Sequence, residues 1–241
     1  PNASIGRELG IRQILCFTGG NTQGGTIDNF DHILVESQVY YDTFKSQGRS
    51  VSFAFGTNTK LFDPERDVLK RQTKTIDVLN MSTFAQWKRH RLLARTFKNK
   101  QLNVVTCGYM YDDHEMDCWR DCQEAGFTVL PHVSADTVAH LLAASKSVVI
   151  TSDGTGGSQR SVLEALAMNV PTIVMNDSDK CSEYIREAKW GWITVPTEEA
   201  VWEAYLNAKS AQPSNKGREY VMSKWTEHHY ADEICKYSSA G

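Results

Sequence analysis

Apolar residues fall in short unbroken runs along this chain, and most runs are followed by a stretch with helical spacing. Residues 12–17, 32–36, 51–55, 76–81, 103–107, 127–130, 148–150 and 172–175 each read as a strand. Runs with little polar alternation suit strands that are buried on both faces of a parallel sheet. Between them, helical patterns run through Tyr40, Tyr41 and Phe44 to a stop at Gly48, then over residues 84–97, 114–125 and 135–145. Such alternation predicts right-handed β-α-β units in open parallel sheets.

The stretch from Val148 to Glu183, VVITSDGTGGSQRSVLEALAMNVPTIVMNDSDKCSE, carries the most chemistry. An apolar strand runs into a turn with Gly154, Gly156 and Gly157, where the missing Cβ lets backbone approach a ligand. Ser158 reads as the N-cap of a helix whose apolar stripe is Val162, Leu163, Leu166 and Ala167, and Pro171 as its stop. Backbone N–H groups gathered at a helix N-terminus favour bound phosphate. A tight turn with no ligand fits the same glycines, so the motif needs support from its surroundings.

Composition narrows the possibilities. The chain has 241 residues and a net charge of −3, which is not the basic surface that nucleic-acid binding requires. No apolar run is long enough to span a membrane, and the first residues lack the apolar core of a signal peptide. Six scattered cysteines without a C-x-x-C pair suggest reduced thiols in a cytoplasmic protein, although Cys118 and Cys122 at helical spacing leave a metal site open. Residues 1–58 supply about three strands and residues after 74 about six. This predicts a partial first domain (1–58), a linker (59–74), a main domain (75–211) and a C-terminal helical segment (212–241) that packs back on the first part. The short first domain and the initial Pro1 suggest a fragment or a cut-down domain.

Four stretches, in this order, resemble the retaining glycosyltransferases of GT-B fold, the glycosyl transferases group 1 or glycogen synthase-like family. HILVESQVYYDTFKSQG resembles the last strand and helix of that family's acceptor domain, and VSFAFGTNTKLFDP its hinge. SVLEALAMNVPTIV resembles the donor-site helix, and REYVMSKWTEHHYADEI the C-terminal helix. The resemblance implies an α/β architecture of GT-B type, with a Rossmann-like parallel-sheet donor domain preceded by a partial second Rossmann-like domain.

Carried over by position, Glu164 stands at the second glutamate of the family's E-x7-E motif, which accepts hydrogen bonds from the ribose hydroxyls of the donor. A carboxylate suits that task because it can accept two at once. Lys88 stands where relatives have the lysine that neutralises the donor diphosphate, with Arg89 beside it. A solvated helix face for Lys88, Arg89 and Arg91 is the competing reading. The backbone of Gly156, Gly157, Ser158 and Gln159 is then expected at the pyrophosphate or sugar, and Gly19 and Gly20 at a strand-end loop open to donor or acceptor. The loop at residues 131–135 corresponds to the one that reads the base in relatives. Two departures stand out. Gly156 occupies the place of the motif's first glutamate, and the arginine that commonly precedes the lysine falls near Thr83.

Ser178, Asp179, Lys180, Cys181 and Glu183 follow the last strand of the motif, with Glu183 matching the family's E-x-i position, one layer removed from the substrate. Asp112, Asp113, His114, Glu115 and Asp117 could be read as a metal cluster or as the acidic start of a helix. The resemblance implies no metal and no cofactor beyond a nucleoside-diphosphate sugar, and a glycan, lipid or small molecule as acceptor. A sugar-nucleotide epimerase, suggested by TSDGTGGSQRSV, and a non-catalytic nucleotide-sugar binding module, suggested by Gly156, are the alternatives. A dinucleotide oxidoreductase would need a G-x-G-x-x-G after the first strand, which this chain lacks.

Overall fold

Val148, Val149 and Ile150 are almost wholly buried, as a strand covered on both faces must be. They belong to a computed structural model that describes residues 10–17, 27–110, 116–154 and 160–238. The chain divides into two compact units, residues 1–57 with 224–241, and residues 58–223.

The first unit has strands β1 (Ile14–Phe17), β2 (His32–Val35) and β3 (Val51–Phe53), parallel and in that order. Helix α1 (Gln38–Ser46) connects β2 to β3. Its N-cap Ser37 accepts a hydrogen bond from the Tyr40 N–H, satisfying one of the free donors of a first helical turn. Phe17 meets Tyr40 and Phe44 edge to face at 4.9 and 5.0 Å between centroids, in a core shared with Ile33, Val35 and Val51.

Chain from the far C-terminus completes this unit. The sequence suggests one continuous C-terminal helix, whereas two form, α8 (Lys216–Lys224) and α9 (Glu227–Ser238). The break falls at Trp225 and Thr226, both buried. There the Thr57 N–H donates to the Trp225 carbonyl at 2.8 Å, and the Glu227 N–H to the Thr57 carbonyl at 3.1 Å. The ring of Tyr237 on α9 stacks on His32 at 3.4 Å.

The second unit is a six-stranded parallel sheet in the order β6-β5-β4-β7-β8-β9. Its elements in chain order are β4 (Val78–Met81), α2 (His90–Phe97), β5 (Val104–Cys107), α3 (Met116–Glu124), β6 (Thr128–Leu130), α4 (Ala135–Ala143), β7 (Val148–Ile150), α5 (Arg160–Ala167), β8 (Thr172–Met175), α6 (Asp179–Ala188), β9 (Trp192–Thr194) and α7 (Glu198–Lys209). Helices α2, α3 and α7 pack together over a core that includes Phe84, Leu93, Phe97, Cys122, Ile173 and Tyr205. Residues 59–74 form turns that bury Phe62 and Leu69.

Two local expectations change. The helix expected over residues 84–97 begins only at His90, after a 3-10 turn at Gln86–Lys88 and a left-handed Arg89 (φ 52°). Helix α5 ends at Ala167, before Pro171: Asn169 takes φ 53°, and its side-chain oxygen accepts the Arg218 N–H at 3.0 Å. Asparagine tolerates this left-handed position better than other residues with a Cβ.

Strand order reverses between β4 and β7, the topological switch point, where ligands of open α/β sheets bind beyond the strands' carboxyl ends. The two strands pair only at Leu79↔Val148. Past that point the Asn80 side chain holds the Val149 carbonyl at 2.8 Å and accepts from Ser82 Oγ and Thr106 Oγ1.

Candidate functional site

Glu164 lies in the second turn of α5, the helix that leaves the switch point after β7. Its carboxylate accepts no hydrogen bond among the described residues, and it lines a cleft of about 380 Å³ at the carboxyl ends of β4 and β5. Ser82, Thr83, Gly108, Tyr109, His132 and Arg160 are among its other walls. The volume suits a small ligand. Burial outweighs the attraction of Arg160 and raises the Glu164 pKa to about 7, because a carboxylate in a low-dielectric setting loses its hydration. Burial, reinforced by the same carboxylate, pushes the Cys107 thiol up to about 12.

The cleft's walls come close together for steric reasons. A Cβ on Gly108 would lie 1.9 Å from the Ser82 carbonyl oxygen, so only glycine lets these two strand ends meet. Tyr109 then stacks on His132 at 3.7 Å, with its hydroxyl 2.7 Å from His132 Nε2.

Lys88 sits across the switch point in the loop after β4. Its carbonyl accepts the Thr151 hydroxyl at 2.6 Å, and the Asp153 N–H donates to the Trp87 carbonyl at 2.9 Å. These bonds fasten the β4 loop to the chain leaving β7. The Lys88 side chain is 6% exposed, and its ammonium has no hydrogen-bond or ion-pair partner among the described residues. Burial lowers its pKa to about 8; Cys181 and Asp153 act against that shift and Lys180 adds to it. A buried cation without a partner is costly, and an anionic ligand would offset that cost.

Arg89 donates to both oxygens of Asp177, at 3.0 and 2.6 Å, and lies 3.9 Å from Asp153. These contacts, led by the Asp177 hydrogen bond, hold its pKa above the ordinary value. Arg91 is far more exposed and pairs with Asp121 at 3.0 Å. The three basic residues therefore separate: Lys88 faces inward, Arg89 joins two strand-end loops, and Arg91 belongs to the surface. A larger hollow of about 680 Å³ opens beside α2, α3 and the start of α7, with Arg89, Arg91, Arg95 and Glu198 among its walls. Glu164 and Lys88 do not line it.

Gly19, Gly20, Gly156, Gly157, Ser158 and Gln159 lie outside the described residues. So do Asp112, Asp113, His114 and Glu115; Asp117 is described and pairs with Arg120 at 3.2 Å. Cys118 and Cys122 are both buried in the core, where burial above all pushes the Cys122 thiol up to about 12. Metal binding needs the thiolate, which this setting disfavours. Among the described residues no three His, Cys, Asp or Glu side chains are grouped to hold a metal, and no helix is long and apolar enough to cross a membrane. Asn80 and Thr151 escaped the sequence reading: buried polar residues at strand ends are their only signal, and one sequence does not separate these from ordinary strand positions.

A family model described as glycosyl transferases group 1 matches residues 62–219, well over half of the chain. The chain belongs to that family. Solved structures agree on the fold, which is of GT-B type. Sucrose-phosphate synthase from Thermosynechococcus elongatus is 18% identical with a TM-score of 0.70, over 86% of this chain and 57% of that one. HepE from Anabaena, in complex with UDP, is 13% identical with a TM-score of 0.77, over 99% of this chain and 75% of that one. A glycosyltransferase from Rickettsia africae is 12% identical with a TM-score of 0.74, over 98% and 78%. The chain thus spans little more than half the length of the synthase. No curated protein matches it by sequence.

Proposed function

We propose that residues 58–223 hold the donor of a glycosyl transfer, a nucleoside-diphosphate sugar, and that the chain moves the sugar to an acceptor hydroxyl with retention at the anomeric carbon. One observation carries this reading: a buried ammonium and a largely buried carboxylate, both unpartnered among the described residues, flank the switch point of a group 1 glycosyltransferase sheet. Lys88 is assigned to the diphosphate, Glu164 to the ribose hydroxyls, and the backbone of residues 156–159 to the pyrophosphate or sugar. HepE is solved with UDP and with UDP-glucose, which supports uridine as the first base to test.

In the transfer, the bond from the anomeric carbon to the β-phosphate oxygen breaks while a bond to the acceptor oxygen forms on the same face. The acceptor's proton passes to the departing phosphate. The protein's part is to stabilise charge on the leaving diphosphate and to hold the acceptor near. No metal is required for that, since Lys88 and backbone N–H groups at a helix start can offset the charge. The acceptor is a glycan, a lipid or a small molecule.

A second reading is favoured by Gly156, which stands in place of the family's first motif glutamate: binding of the donor without transfer. A thermal-shift panel of UDP, GDP, ADP and CDP and their sugars tests the donor site, followed by assay of sugar release from the one that binds. A shift with one nucleotide and transfer of its sugar is expected. Binding without turnover selects the second reading, and no shift with any nucleotide overturns both.

A further inference from the structure

Arg218, in the first turn of α8, holds together two segments that line one cleft. Its Nη1 donates to the Phe62 carbonyl at 2.9 Å and to the Ala167 carbonyl at 3.1 Å, and its Nη2 lies 3.2 Å from Asp63 Oδ1. Ala167 is the last residue of α5, and the closing carbonyls of a helix lack partners inside it and attract a cation. Backbone adds to the joint, because the Arg218 N–H donates to Asn169 Oδ1 at 3.0 Å and a Cβ on Gly217 would lie 2.8 Å from the Leu166 carbonyl oxygen. Phe62 and Glu164 both line the cleft at the carboxyl ends of β4 and β5. Glu164 stands one turn before Ala167, and α5 has eight residues, about 12 Å of helix. A rod that short moves as one piece, so whatever fixes its last turn also fixes Glu164.

We propose that Arg218 is a positioning residue for this cleft: by tying the Phe62 carbonyl to the end of α5 it sets the distance between the two lining segments and holds Glu164 where ribose hydroxyls would meet it. The proposal rests on the donor-site reading above and adds to it a residue that does not itself line the cleft. A guanidinium suits the place because its donors lie in one plane and serve two carbonyls and a carboxylate together, whereas a lysine ammonium offers no such fixed fork. The loop that carries Lys88, assigned to the diphosphate, is fastened separately through Thr151 and Asp153. Loss of Arg218 is therefore felt at the ribose and not at the phosphates.

Calorimetric titration of the full chain with UDP and with inorganic pyrophosphate tests this, in wild type, Arg218→Met, Arg218→Lys, Glu164→Gln and the double variant Arg218→Met with Glu164→Gln. Melting temperatures check the fold. Arg218→Met is expected to lose about tenfold in UDP affinity, within the coupling range of residues that share a network, and to keep pyrophosphate affinity within about twofold. Arg218→Lys should lose less. In the Glu164→Gln background the loss from Arg218→Met should shrink to about twofold, because the carboxylate that Arg218 positions is already gone; this comparison decides if pyrophosphate alone does not bind. Equal losses for UDP and pyrophosphate would assign Arg218 to the framework and overturn the proposal, as would unchanged UDP affinity or an undiminished loss in the Glu164→Gln background. Failure of both single Arg218 variants to fold would do the same. If wild type itself does not bind UDP, the donor-site reading fails in its uridine form and takes this inference with it.

Discussion

Arg89 and Asp177 are joined by two hydrogen bonds of 3.0 and 2.6 Å, although 88 residues separate them, and Arg89 holds a left-handed backbone. The geometry is the planar fork of a guanidinium on a carboxylate, the strongest form of surface ion pair. Asp177→Ala is therefore expected to weaken UDP binding several-fold by loosening the loop that carries Lys88. A double-mutant cycle with Arg89→Met should show coupling of about 1 kcal/mol. Additive effects in the two single variants would show that the pair is ornamental to the site.

Nucleotide affinity should depend on pH in two opposite ways. In its proposed role Glu164 accepts two ribose hydroxyls best when ionised, so its pKa of about 7 makes affinity rise with pH up to that point. In its proposed role Lys88 attracts phosphate as the charged ammonium, so its pKa of about 8 makes affinity fall above it. A narrow optimum between these values is expected for UDP in calorimetric titrations. Glu164→Gln should remove the acid limb and Lys88→Met the alkaline one. A flat profile from pH 6 to 9 in wild type would contradict both assignments.

The same glutamate makes a separate statement about stability. Its folded pKa lies above the ordinary glutamate value of 4.5, so from about 4.5 to about 7 the folded state binds the extra proton and stability falls as pH rises. Glu164→Gln should melt at the same temperature as wild type near pH 4 and at a higher one at pH 8. A variant that melts lower than wild type at pH 8 would mean that the carboxylate is held by a partner and is not merely desolvated.

Much of this was legible in the sequence, for a physical reason. Strands such as Val148–Ile150 and Thr172–Met175 are covered on both faces, and that burial writes itself as unbroken apolar runs. Glu164 stands out through the match of SVLEALAMNVPTIV to the family's donor-site helix, because that match fixes its place in the motif. The loop carrying Lys88 was read as helix because Phe84, Leu93 and Phe97 keep helical spacing. Tertiary bonds from Thr151 and Asp153 to the Lys88 and Trp87 carbonyls accompany a different path there. No local pattern reports those bonds.

Thiol reactivity offers a test of burial. Cys16 and Cys235 are exposed, whereas Cys107, Cys118, Cys122 and Cys181 are buried. A chromogenic disulfide reagent should titrate two thiols rapidly in the native protein and the other four only on unfolding. Rapid modification of Cys107 would show that the floor of the Glu164 cleft is open to solvent.

Gly108→Ala should be damaging out of proportion to its size. The added methyl would meet the backbone of Ser82 at 1.9 Å, and two strand ends must separate to admit it. A loss of about 3 kcal/mol in denaturant unfolding is expected, together with loss of nucleotide binding, because Ser82, Gly108 and Tyr109 share the cleft wall. A variant as stable as wild type would show that the strand ends spread at little cost.

The bonds between Thr57 and the Trp225–Glu227 segment have a consequence for the order in which the chain can take shape during synthesis. Residues 58–223 are continuous, so everything that this unit needs is synthesised before α9. The first unit is made earlier yet finished later, because its sheet waits for Tyr237 to cover His32. Translation thus completes residues 58–223 as a folding unit while strands β1 to β3 are still without their last helix.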